Sequence, residues 1–178
     1  MRKLWKNGVR RLLALVCTAA LAACTAAGCS PSNDVTSGVG STDFPVTVND
    51  VTISQKPEGV AVLSANLADV VLALNYELPL KVRTADCLQS DLDVLPVVEA
   101  DDYASMSAAG ATLALQDGTP TQEQQDAASQ AGVTLLGIAP ATSREDLTRL
   151  YAQVGAALNG GVTGYEKGEK TAGNVCIT

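Results

Sequence analysis

The amino-acid sequence predicts an α/β fold: a doubly wound, mainly parallel sheet flanked by helices and preceded by a small β-hairpin. Three observations predict it. Compact apolar runs at 60–63, 80–83, 111–115 and 133–138 alternate with helical patterns, and such alternation means βαβ units with right-handed crossovers. The chain is 47% hydrophobic and 17% charged, enough Ala, Val and Leu to fill a core. Its 178 residues fit one domain of ordinary size plus a tail, a single Rossmann-like lobe and not two.

The elements follow in order from residue 44. Val46-Thr47-Val48 and Val51-Thr52-Ile53 alternate around Asn49-Asp50 and read as the hairpin. Lys56-Pro57-Glu58-Gly59 breaks that pattern before the apolar run 60–63, the sort of strand covered on both faces. Ser64 or Asn66 then caps a helix whose Leu67, Val70, Val71 and Leu74 fall at i, i+3, i+4 and i+7. Asn75 stands where a helix end needs a left-handed residue.

A second strand is expected at 80–83, and a third, short or at an edge because of Pro96, at 95–98. Residues 101–109 read as a short helix closed by Gly110, and 111–115 as another buried strand. Thr119-Pro120 reads as a cap with Pro at the first helical position, opening a polar helix that ends at Gly132. After the strand 133–138, Thr142-Ser143-Arg144-Glu145 is a capping box. Leu147, Leu150, Tyr151, Val154 and Leu158 make one face of a longer helix, interrupted at Gly160-Gly161. The run from Asn174 to Thr178 reads as the start of a strand.

Composition excludes several functions. Histidine is absent, so no His-based metal site, Ser-His-Asp triad or Cys-His dyad exists within the chain. No pair of acids or Ser-x-x-Lys appears on adjacent loops, so the reading is not an enzyme and no catalytic residue is assigned. No cofactor is implied, because no Gly-x-Gly-x-x-Gly follows a strand. The stretch from Gly164 to Thr171 tempts a phosphate-loop reading. Glu169 occupies the position of the second glycine and no buried strand precedes it, so a polar linker is the better account. Glu99, Asp101 and Asp102 form a solvated acidic turn and not a metal site.

The net charge is −7. Five basic residues (Arg2, Lys3, Lys6, Arg10, Arg11) fall in the first eleven positions, leaving seven against nineteen acids beyond them, a balance of −12. Nucleic acid is therefore a poor partner.

Those five bases form a positive n-region, and 12–28 is an uncharged run, shorter than the ~20 apolar residues of a spanning helix. Leu21-Ala22-Ala23-Cys24 resembles the lipobox of bacterial lipoproteins, whose cysteine thiol is acylated and becomes the new N-terminus. Ala26-Ala27-Gly28-Cys29 is a second candidate. Leu at the third position before the cysteine favours Cys24; Gly before and Ser after favour Cys29. Residues 1–28 are thus the signal peptide and lipobox region. Residues 29–43, rich in Ser, Gly, Thr and Asp, read as a flexible tether. The resemblance implies a lipid anchor that holds the domain at the extracytoplasmic face of a bacterial membrane without spanning it. Cys87 and Cys176 are the thiols left, either paired as an exported protein allows or each a small hydrophobe.

Ligands of doubly wound sheets meet the loops past the carboxyl ends of the strands. Here these are 64–66, 84–87, 116–120 and 139–143. Within them Ser64, Asn66, Thr84, Asp86, Gln116, Asp117 and Thr119 are the candidate ligand-binding residues.

The stretch from Val60 to Asn75 resembles the opening of the class III substrate-binding proteins of ABC importers, which capture ferric siderophores, haem and cobalamin. Lys56-Pro57-Glu58 supplies their turn, Leu63-Ser64 the strand end, and Ala73-Leu74 the helix end. Ala65 stands for their Pro, Asp69 for Glu, Asn75 for Gly and Gly59 for Arg. Ala131-Gly132-Val133 and Thr142 to Leu147 are similar to later segments of that family, in the same order over 45–158.

The resemblance implies one lobe over 44–159 with the start of a connecting helix, then a linker and the first strand of a missing second lobe over 160–178. It implies as partners a metal-chelate or cobalamin-like ligand, an ABC permease with Asp102 at its docking position, and a second lobe in cis or in trans. A surface lipoprotein that binds another protein is the alternative.

Overall fold

In the computed structural model, residues 35–37, 43–77 and 79–175 are described; all belong to the compact unit Asn33–Thr178. The leader, Cys24, Cys29 and Cys176 lie outside the described residues.

Strands β1 (Val35–Ser37), β2 (Val46–Val48) and β3 (Val51–Ile53) form an antiparallel sheet in that order. The β2–β3 hairpin is the expected one. Its two turn residues, Asn49 at φ 47° and Asp50 at φ 64°, both adopt the left-handed conformation a two-residue type I′ turn requires. Strand β1 departs from expectation. Val35, Thr36 and Ser37, expected within the tether, pair with Val48, Thr47 and Val46.

The second sheet holds β4 (Val60–Val62), β5 (Leu80–Arg83), β6 (Leu113–Asp117) and β7 (Thr134–Ile138), all parallel, in the order β5-β4-β6-β7. Helices α1 (Ala65–Ala73), α2 (Tyr103–Ala108), α3 (Gln122–Gln130), α4 (Arg144–Asn159) and α5 (Thr163–Val175) complete the chain. Strand alternation sorts the core into two layers. Val60, Val62, Leu113, Leu115, Leu136 and Ile138 pack with Leu67 and Val71 of α1 and with α4. Ala61, Ala114 and Leu135 pack on the other side with Tyr103 and Met106 of α2 and Ala128 of α3. The small alanines there match two short helices.

Four expectations need correction. Segment 95–98 makes only an isolated parallel bridge, Val97 to Arg83, because Pro96 donates no ladder hydrogen bond. Helix α3 is capped by Thr121, in a capping box with Gln124, and not by Thr119; Pro120 precedes the cap. The cap of α4 is Ser143, whose side chain accepts from the amide of Asp146, one position later than expected. Finally, the expected linker 160–178 contains helix α5, which includes Asn174 and Val175, the start of the expected last strand.

Helix α5 forms because of what it packs on. An added Cβ at Gly164 would stand 2.0 Å from the Gly155 carbonyl oxygen, and one at Gly168 2.3 Å from that of Tyr151. Gly164, Gly168 and Ala172 recur every fourth residue and are buried, so the α4 and α5 backbones touch directly. This second partner buries every residue of α4 from Leu150 to Leu158, where the sequence shows only one apolar face. Asp43 closes the arrangement from the other end of the domain. Its carboxylate accepts from the Val162 amide (3.3 Å) and the Thr163 amide and hydroxyl (3.1 and 2.8 Å) at the start of α5.

Candidate functional site

From β4 the chain passes to β5 on one side and then to β6 on the other, so the strand order reverses between β4 and β6. A crevice opens at such a switch point, beyond the carboxyl ends of the two strands. Ser64 follows β4, Asn66 lies in the first turn of α1 and Asp117 ends β6, and the structure joins all three.

Ser64 is extended (φ −154°, ψ 136°) and caps α1, its hydroxyl oxygen accepting from the Leu67 amide at 3.4 Å. The same hydroxyl donates to Asp117 Oδ2 at the end of β6, at 2.6 Å, a short charge-assisted bond. Asn66 Nδ2 approaches the same carboxylate oxygen at 3.5 Å. Ser64 is 5% exposed whereas Asn66 and Asp117 face solvent, so a buried hydroxyl holds an exposed carboxylate in place.

The loop after β5 adds a second carboxylate. Asp86 Oδ2 accepts from the Ala65 amide at 3.3 Å, and its Oδ1 from the buried Thr84 hydroxyl at 2.5 Å. Asp86 and Asp117 thus flank the first turn of α1, where amide donors and the helix dipole favour negative charge, which corrects the expectation that no two acids stand on adjacent loops. Gln116 does not join them. It alternates with Leu115 and Asp117, so its side chain leaves the sheet on the α2–α3 side. Thr119 is exposed in the following loop and makes no hydrogen bond to the cluster.

Two neighbours were not singled out from the sequence. Gln89 Nε2 donates to the Ala65 carbonyl (3.0 Å) and Asp69 Oδ1 (2.8 Å), while its Oε1 is buried without a partner. Arg83 folds the loop back, donating to the Leu92 and Cys87 carbonyls at 2.9 and 2.8 Å. Both contacts join residues separated by loops of undetermined shape, and no sequence spacing signals them.

Cys87 is fully buried, its Sγ 3.5 Å from the Thr84 hydroxyl and 3.8 Å from the Val62 carbonyl. Burial pushes the thiol up, more than the Thr84 hydrogen bond lowers it, and the adjacent Asp86 carboxylate raises it further. It stays protonated at neutral pH and is no nucleophile. Asp102 caps α2, accepting from the Ser105 amide at 3.0 Å, and hydrogen bonding to Ser105 holds its carboxyl below the ordinary range.

Beside the last strand-end loop lies a polar cavity of about 260 Å³, lined by Asn49, Ala139, Pro140, Asp146, Arg149 and Gln153 among others. That is below the volume of a typical drug-sized ligand site. The cavity borders the loop after β7 and does not include Ser64, Asn66, Asp86 or Asp117. Among the described residues no helix is long and apolar enough to cross a membrane.

No protein-family model matches the sequence, and no curated protein matches it. The fold does match solved structures. The heme binding protein HmuT aligns with a TM-score of 0.56 and 18% identity over 82% of this chain and 46% of its own. A periplasmic heme binding protein from Pseudomonas aeruginosa gives 0.57 and 16%, over 68% and 44%. Periplasmic heme-binding protein RhuT from Roseiflexus sp. RS-1 gives 0.57 and 18%, over 67% and 46%. The chain spans less than half the length of these proteins and shares their fold over that span.

Proposed function

We propose that this chain is the lipid-anchored, extracytoplasmic solute-binding component of an ABC importer, contributing one wall of the ligand cleft. The observation that carries the reading is the switch-point cluster. Ser64, Asn66 and Asp117, with Thr84 and Asp86 beside them, stand preorganised on the open edge of a lobe whose fold is shared with periplasmic heme-binding proteins over under half their length. The ligand class is a metal chelate: haem, a ferric siderophore or a cobalamin-like compound. A second lobe, in cis or in trans, supplies the facing wall, and Asp102 contributes to docking on the permease.

The anchor rests on the lipobox at Cys24 or Cys29. Binding rather than catalysis suits a buried, protonated thiol and carboxylates already engaged by hydroxyls and amides.

Equilibrium dialysis of the full-length protein against hemin, a ferric hydroxamate and cyanocobalamin tests this reading. Saturable binding of one of them, weakened at least tenfold by Asp117→Asn, is expected. No saturable binding of any of the three would contradict it.

A second reading, a surface lipoprotein that binds another protein, draws on one observation. Leu88, Val94 and Val97 are 80%, 87% and 52% exposed on the loop that follows β5, among the exposed acids Asp86, Asp91 and Asp93. Binding of a protein ligand unaffected by Asp117→Asn, with no small-molecule binding, would favour it.

A further inference from the structure

We propose that strand β1 roots the lipid tether at the strand-end edge of the domain, so that the candidate binding loops look toward the bilayer. This rests on the lipid anchor proposed above and adds an orientation to it.

The direction of the small sheet carries the argument. Strand β2 ends at Asn49, whose Nδ2 donates at 2.8 Å to the Gly137 carbonyl, one residue before the carboxyl end of β7. Asn49 also lines a cavity with Ala139 and Pro140, the first residues past that end. Strand β3 runs the other way. Residues Ser54 and Gln55 beyond it line a cavity with Thr112 and Gly132, which precede β6 and β7. The hairpin tip therefore marks the carboxyl-end edge of the parallel sheet. Strand β1 is antiparallel to β2, and its first residue, Val35, pairs with Val48 beside that tip. The chain thus enters the domain at the edge that carries the binding loops.

Pairing of β1 also shortens the leash. Had the tether run to residue 43, fourteen residues would separate Cys29 from the fold. With Val35 already in a strand, six residue steps remain from Cys29 and eleven from Cys24. Fully extended, these reach about 20 Å and about 40 Å. A domain of this size has a radius of gyration of about 15 Å. A leash of about 20 Å is too short to pass around such a body, so lipidation at Cys29 keeps this edge on the bilayer side.

Charge sets the remaining gap. Asp50, Asp86 and Asp117 are exposed, and carboxylates are repelled by anionic headgroups within about one Debye length, ~8–10 Å at physiological salt. The edge is held near the membrane but off its surface.

Energy transfer tests the orientation. The acylated full-length protein, its lipid confirmed by mass, is inserted into phosphatidylcholine vesicles containing phosphatidylglycerol and a rhodamine-labelled lipid. A fluorescent amino acid replaces either Ala139, at the binding-loop edge, or Gln55, at the opposite edge. Transfer at least twofold stronger from position 139 is expected, rising with salt at that position.

The double change Val35→Pro and Thr36→Pro should shrink the difference. Alternate amides face β2, so one ladder donor is lost whichever of the two points inward. An unchanged melting temperature for the rest of the domain keeps that comparison valid. Equal transfer, or stronger transfer from position 55, in protein of confirmed acyl mass overturns the orientation alone. A mature mass without acyl groups overturns the anchor, and the orientation with it.

Discussion

The switch-point crevice and the α4–α5 seam are built on opposite principles. At the crevice, side chains carry the structure: Ser64 spans from the cap of α1 to Asp117 on β6, and Thr84 positions Asp86. At the seam, the absence of side chains carries it. Gly155, Gly164 and Gly168 let two helices meet backbone to backbone. The crevice leaves the Asp86 and Asp117 carboxylates and the Asn66 amide facing solvent, held by the buried Ser64 and Thr84 hydroxyls. The seam leaves no room for a Cβ at Gly155, Gly164 or Gly168. A region of the first kind can be altered with modest loss of stability; one of the second kind cannot.

The largest expected effect is therefore at the seam. In Gly168→Leu the new Cβ would meet the Tyr151 carbonyl oxygen at 2.3 Å, and the helices must separate. A loss of about 3 kcal/mol is expected in urea unfolding, the upper range for overpacking a tight interior. A loss within error of zero would mean that α5 is not seated on α4.

Next comes Ser64→Ala, which removes both the cap of α1 and the bond to Asp117. About 2 kcal/mol is expected from the same measurement, the high end for a cap because the site is buried. Thr121→Ala supplies the reference. It removes a capping box on exposed α3, with no bond across a crevice, and should cost about 1 kcal/mol. Equal losses for the two would show that the Ser64–Asp117 bond adds nothing.

The smallest effect is a response to pH. Hydrogen bonds from the Thr163 amide and hydroxyl, with a weaker one from the Val162 amide, hold the Asp43 carboxyl below the ordinary carboxylate range. A depressed folded-state value stabilises the ionised form, so its contribution is present above the unfolded value and disappears as pH falls through and below the ordinary range. Amide exchange at Val162 and Thr163 should quicken there, measured against the reference amides of α3. Asp43→Asn should make that acid-dependent step vanish.

The sequence shows much of this fold because its local signals agree with the tertiary ones. Asn-Asp supplies two left-handed residues for the hairpin, Ser64 precedes a run at helical spacing, and Asn75 ends it at φ 53°. Strand β1 is hidden because three residues within a Ser/Gly/Thr-rich stretch carry no period. Helix α5 is hidden because glycine is a poor helix former, and only its contact with Gly155 and Tyr151 explains glycines at every fourth position.

The crevice divides the same way. Ser64, Asn66 and Asp117 follow from the rule that loops past parallel strands converge at a switch point, and alternation along β6 accounts for Gln116 turning away. Gln89 and Arg83 reach their partners through a loop path that no local pattern encodes.

The most direct test of the central claim is a chemical-shift map of isotopically labelled protein titrated with hemin, a ferric hydroxamate and cyanocobalamin. The account predicts that the ligand that binds moves the amides of Ser64–Asn66, Thr84–Asp86 and the residues after β6, leaving α4 and α5 still. Shifts confined to the α4–α5 seam, or none with any of the three at millimolar concentration, would contradict it.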